Sequence, residues 1–153
     1  MLGFLTGAIA GLATITPAAG FVSPASAALI GVLAGAGCYY AVQYKSKKGW
    51  DDALDVWGVH GIGGLIGTLA LGLLGSTAMN SAGTNGLLRG NPGFFMTQVM
   101  GILIATVYSL LVTYFLLVII NKITPVRMKD AHQNEDAHLD TVLHGEIAYR
   151  NHD

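Results

Sequence analysis

Charged side chains are missing from three long stretches of the chain: Met1 to Tyr44, Val56 to Leu88 and Gly90 to Asn121. Crossing about 30 Å of hydrocarbon takes roughly 20 mostly apolar residues in a helix. Each stretch is long enough for one crossing, and the first has room for two. The pattern therefore predicts four spans. The first runs from about Leu2 to Ile15 and is ended by Pro17 and the Gly20/Pro24 cluster. It is short for a full crossing, which fits a chain that starts partway into a helix. The second runs from about Ala27 to Tyr44 and stops at Lys45, where a polar connection carries the chain to Asp52. The third runs from about Ala53 to Leu74. Asp51 and Asp52 precede it, where an N-cap and a first turn favour carboxylates. A loop rich in Gly, Asn and Ser follows from Gly75 to Gly93. The fourth span, from about Phe94 to Asn121, is expected to face lipid. From Lys122 the chain turns polar. The expected organisation is an all-α, polytopic membrane bundle over residues 1–121 and a tail over residues 122–153.

Composition sharpens this picture. Hydrophobic residues make up 52% of the chain and charged residues 11%, against about 25% charged in an average soluble domain. The mean hydropathy is +0.54. A net charge of −1 gives no reason to expect nucleic-acid binding. The single cysteine, Cys38, lies in an apolar run and reads as a small packing residue. Met1-Leu2-Gly3 lacks the positive start of a signal peptide, and a chain that opens on an apolar segment is expected to be a fragment.

Orientation follows from lysine and arginine. With four spans, Lys45, Lys47 and Lys48 fall on the same side as Lys122, Arg127 and Lys129, while the other side has only Arg89. The basic loop and the C-terminus are expected to be cytoplasmic, in a cell membrane. Trp50, Trp57, Tyr39, Tyr40 and Tyr44 lie near predicted interfaces, where aromatic anchors belong. Of the 21 glycines, Gly7 with Gly11, Gly31 with Gly35 and Gly63 with Gly67 have the spacing that lets helices approach closely in lipid.

The run Asp55-Val56-Trp57-Gly58-Val59-His60-Gly61-Ile62-Gly63-Gly64 carries the sharpest chemistry. If the third span starts near Asp52, His60 stands roughly 12 Å into it. An ionisable group at that depth is costly and marks a functional site by default. The same residue also fits a neutral histidine bonded to a neighbouring helix. Helical spacing places Val56, His60, Gly63, Gly64 and Gly67 on one face, leaving bare backbone beside the ring. A neutral imidazole donates from one nitrogen and accepts at the other, which suits a path for a small polar solute. Asp55 reads as a partner of the helix N-terminus. Thr16, before Pro17, reads as a helix-end residue. His132, His138 and His144 recur every six residues and point in different directions on a helix, so no metal site is expected, and nothing points to a cofactor. There is no nucleophile–base constellation and no phosphate-binding loop, so no enzyme is expected.

These residues resemble a known family. The run from Asp55 to Gly64 is similar to the signature of the second pore histidine in the Amt/Mep ammonium transporters, and Gly63-Gly64 is closer to the Amt branch than to the Rh proteins. Met1 to Pro24, with Gly7-Ala8-Ile9-Ala10-Gly11-Leu12 and Ile15-Thr16-Pro17-Ala18-Ala19-Gly20-Phe21-Val22, resembles the family's eighth helix and its outer end. Leu139-Asp140, His144-Gly145-Glu146 and Ala148-Tyr149 resemble its C-terminal motif, with His138 where a glycine is usual. The resemblance implies the last four helices of an eleven-helix fold, assembled as a homotrimer with one pore per subunit. It implies that ammonium is captured outside, loses a proton and passes as ammonia along a pore with two facing histidines. On that reading His60 is the second histidine, Val56 a pore-wall residue, Thr16 an outer-vestibule residue and Asp55 a helix-ordering carboxylate. The tail would pack on the cytoplasmic face, where a PII-type signal protein docks in many bacteria. The first histidine and the seven earlier helices are not in this chain. The second reading is a non-conducting assembly or regulatory protein that packs beside full-length transporters.

Overall fold

The computed structural model describes residues 2–50, 52 and 54–126. Among them every regular element is helical. Four helices occur: α1 (Leu2–Ile15), α2 (Pro24–Lys47), α3 (Gly63–Leu74) and α4 (Pro92–Ile123). A π-helical segment, Trp57–Ile62, leads directly into α3, and single 3-10 turns occur at Thr16–Ala18 and Leu87–Arg89. α2, α4 and the continuous helix Trp57–Leu74 are each long and apolar enough to cross a membrane, whereas α1 is shorter. The predicted tail motifs, with His132, His138 and His144, lie outside the described residues.

The chain forms two units, Met1–Thr106 and Val107–Asp153. In the first, α1, α2 and the 57–74 helix pack on one another. Their contacts combine small side chains with a few larger aliphatic ones. At the end where α1 gives way to α2, Ala18, Val22, Ile30 and Ala70 are buried together. Toward the other end, Ala10, Cys38 and Val59 form a second cluster. In the second unit the described residues are the rest of α4 and residues 124–126, where the Val126 amide donates to Asn121 Oδ1 at 3.0 Å. No residue of α4 is buried.

Helix ends are set by local polar groups. Ser23 caps α2 by accepting from the Ser26 amide at 3.2 Å, with Pro24 as the first helical residue. Asn91 caps α4 by accepting from the Phe94 amide at 3.0 Å. Arg89 donates to the Leu74 and Gly75 carbonyls at 2.8 and 3.3 Å, satisfying the end of α3. The Ser76 amide donates to the Phe21 carbonyl at 2.9 Å and joins the turn before α2 to the one after α3.

Two expectations need correction. α2 does not stop at Tyr44 but continues through Lys47. Lys45 is therefore a buried helical residue, 7% exposed, and not part of a polar loop. Its charge is matched where it lies, so the helix has no reason to end. Also, the glycine pairs do not share one role. A Cβ at Gly63 would meet Thr14 Oγ1 at 2.7 Å, and one at Gly67 would collide with the Thr14 carbonyl. Gly7, Gly11, Gly31 and Gly35 face open space in this structure.

Thr14 lies at the centre of this packing. Its hydroxyl is fully buried and has the Cys38 thiol, a weak partner, beside it, and a buried hydroxyl without a strong partner costs about 1–3 kcal/mol. Thr14→Val keeps the shape and removes the group. It is expected to raise the melting temperature of the detergent-solubilised protein. A clear drop would show that the hydroxyl has a strong partner after all.

Candidate functional site

The third span starts later than its hydropathy predicts. Asp55 adopts a left-handed backbone conformation with φ of 55°. Such a residue cannot continue a right-handed helix, so the helix begins at Val56. His60 thus stands only four residues, or about 6 Å, along the helix, and not the 12 Å expected from a start at Asp52. The Asp52 carboxylate caps this helix, accepting from the Val56 and Trp57 amides at 2.9 and 3.0 Å. Asp55 does not cap with its side chain. Its carboxylate pairs instead with Lys45 at 2.6 Å, and its carbonyl accepts from the Val59 amide at 2.9 Å.

His60 lies within the π-helical segment. Such segments are rare and occur often at functional sites. The changed winding also splits the predicted face. Gly58, Val59, Gly63 and Gly67 are buried, while Val56, His60 and Gly61 are exposed. The two halves meet different surroundings. Gly58 lies against Val42, where a Cβ would come within 2.7 Å of its side chain, and Gly63 and Gly67 lie against Thr14. Nothing lies within 4 Å of where a Cβ on Gly64 would be. The imidazole therefore shares the open side with Val56 and Gly64, and Gly63 and Gly67 belong to the packing.

A groove of about 290 Å³ begins at Gly61, next after His60, and is lined by Gly64, Thr68, Gly101 and Ala105 among others. The Thr68 hydroxyl donates back to the Gly64 carbonyl at 2.8 Å, so it adds little polarity to the groove. A larger cleft of about 460 Å³ lies between α1 and α2 and includes Gly7, Gly35, Tyr39 and Asp55.

Thr16 is not brought to His60. It lies in the turn after α1, is exposed, and its hydroxyl donates to the Leu12 carbonyl at 2.7 Å. The adjoining Pro17 borders Gly67, which is seven residues beyond His60 in the sequence. Val56 is close in sequence to His60 and half exposed. Among the described residues no cluster of three or more His, Cys, Asp or Glu could hold a metal.

Sequence reasoning missed three residues that shape the site. Lys45 binds both Asp55 and the Asp52 carbonyl, each at 2.6 Å. Cys38 directs its thiol to the Val59 carbonyl at 3.9 Å. Thr14 fills the space left by Gly63 and Gly67. Only the spacing of Cys38, Val42 and Lys45, four and then three residues apart, signals that they share one stripe of α2. The aromatic residues group as well. Tyr44, Trp50 and Trp57 stack edge-on or tilted with centroids 5.2–6.5 Å apart.

The chain as a whole is similar to known proteins. The model of the Ammonium Transporter Family matches residues 1–149. An ammonium transporter of Bacillus subtilis is 44% identical over 151 residues, which cover 98% of this chain and 37% of that protein. Ammonium transporter Amt1 of Archaeoglobus fulgidus is 44% identical over 148 residues, covering 97% of this chain and 37% of that protein. The crystal structure of Saccharomyces cerevisiae Mep2 superposes with a TM-score of 0.76 at 38% identity, over 81% of this chain and 29% of that one. The chain thus spans about a third of the length of these relatives. The match runs through α1, the His60 segment and α4 in one continuous order, and the chain belongs to the ammonium transporter family.

Proposed function

We propose that this chain is the C-terminal part of an Amt-type ammonium transporter and that His60 lines the path of ammonium or ammonia. The observation that carries this reading is the exposed imidazole of His60 on the open side of an otherwise apolar span. A neutral imidazole offers one donor and one acceptor to a small polar solute without a fixed charge in the membrane. Val56 and the bare backbone at Gly64 form the wall beside it. Thr16 serves at the outer end of the pathway, and Asp55 orders the start of the helix. The membrane region covers residues 1–121 and the tail residues 122–153, with the basic ends on the cytoplasmic side. The working assembly is a homotrimer in the plasma membrane, and its cytoplasmic face is the docking surface for a PII-type signal protein. The open glycines Gly7, Gly11, Gly31 and Gly35 supply close-packing faces for the remaining helices. Transport needs no cofactor.

The test uses the full-length protein that carries this chain, reconstituted in proteoliposomes, with labelled methylammonium. His60→Ala is expected to change the uptake rate or the preference for ammonium over methylammonium, while the assembled protein elutes as before. Loss of folding with no folded variant to measure would favour a packing role for the imidazole. A full-length protein that takes up nothing, with His60 intact, would favour the non-conducting assembly role.

A further inference from the structure

We propose that Lys45 is the positioning residue for His60, acting through the turn at residues 52–55; this rests on the pathway reading of His60. Lys45 projects from α2, a helix of 24 residues. Its ammonium group donates to Asp55 Oδ1 and to the Asp52 carbonyl, both at 2.6 Å. These two acceptors lie at the two ends of the turn that opens the His60 helix. Bonds from a charged donor are short and strong, and the low exposure of Lys45 shields them from water.

The turn hands its position on through backbone contacts. Asp52 holds the Val56 and Trp57 amides, and the Asp55 carbonyl holds the Val59 amide. His60 is the next residue. The other contacts between α2 and this segment are apolar or weak. Gly58 lies against Val42, and the Cys38 thiol reaches the Val59 carbonyl at 3.9 Å. They set how close the segment lies to α2. Lys45 alone on this stripe supplies directional, charge-assisted bonds, which fix the height and rotation at which the helix starts. A ring that contacts a passing solute depends on such placement, because a displacement of about 1 Å can cost on the order of 100-fold in rate.

A double-mutant cycle on the full-length protein tests this. The readouts are methylammonium uptake per folded transporter, its half-saturation concentration, and the ratio of ammonium to methylammonium transport. Lys45→Met is expected to lower the maximal rate about tenfold with the half-saturation concentration unchanged, and to shift the ratio toward that of His60→Ala. In a His60→Ala background the same substitution is expected to change the rate less than about twofold. Lys45→Arg, which keeps the charge, is expected to restore most of the rate. If Lys45→Met does not yield folded protein, Lys45→Gln with Asp55→Asn keeps the shape without an unpaired charge, and the cycle is read with that pair. Equal losses with and without His60, or no loss per folded transporter, would overturn the positioning role and leave the pathway reading intact. No effect of His60→Ala on rate or ratio would remove the pathway reading and this inference with it.

Discussion

Gly67→Ala is expected to disrupt the packing of α1 on α3, whereas Gly64→Ala, three residues away, is expected to leave the fold intact. At Gly67 the added Cβ runs into the Thr14 carbonyl and comes within 3.2 Å of the Pro17 ring. The first obstacle is backbone, which cannot rotate aside as a side chain can. Overpacking a well-filled contact usually costs 1–3 kcal/mol, and a clash with backbone is expected at or above about 3 kcal/mol. At Gly64 the same atom meets open space, and alanine has the better helix propensity by about 1 kcal/mol. Size-exclusion profiles and thermal melts of the two variants in detergent decide the matter. Equal behaviour of the two would show that the α1–α3 contact does not limit stability. Transport adds a second readout. If Gly64 borders the pathway, a bulky Gly64→Leu should fold and yet slow uptake.

The second large effect concerns Asp55, where two terms compete. Its left-handed backbone, with φ of 55°, costs an ordinary residue roughly 1–2 kcal/mol. Glycine pays almost none of this, so Asp55→Gly removes local strain. The same change takes the counter-charge from the Lys45 ammonium group, whose side chain is 9% exposed, and leaves it the Asp52 carbonyl. Breaking a buried pair by removing one partner costs about 3–5 kcal/mol. The charge term is the larger, so a net loss of about 2–3 kcal/mol is expected. Asp55→Asn is expected to lose less, because asparagine tolerates this conformation and its oxygen can still accept from Lys45. A glycine variant as stable as the parent, measured by thermal unfolding in detergent, would mean that the Asp52 carbonyl is enough to hold Lys45.

The apolar elements were legible in the sequence, because a membrane forces them to be. Uncharged stretches near the bilayer thickness have few alternatives to a helix. Gly75 marks the end of α3, while Pro24, read as closing the first span, is the first residue of α2. His60 was legible as a group out of place in its surroundings. Hydropathy misjudged the start of the His60 helix because it does not register the left-handed backbone of Asp55, and the end of α2 for another reason. It counts a lysine as a stop, and Lys45 is matched within the protein by acceptors seven and ten residues later. The face assigned to His60 went astray because ideal α-helical spacing was applied across a π-helical segment. No residue type announces such a segment. The division of labour between Gly63 and Gly64 depends on where Thr14 lies, and two neighbouring glycines look alike until the opposite helix is in place.

The winding at Trp57–Ile62 has one more consequence. The helix is held at its beginning by the turn at 52–55 and farther on by the fit of Gly63 and Gly67 around Thr14. Two such clamps fix both ends of a screw, and the thread between them must make up any difference in pitch. The wider turn takes up that difference, and His60 lies inside it. The direction of the ring is therefore a matter of counting. Adding or deleting one residue between the clamps would re-aim the imidazole while leaving every side chain of the site unchanged in kind.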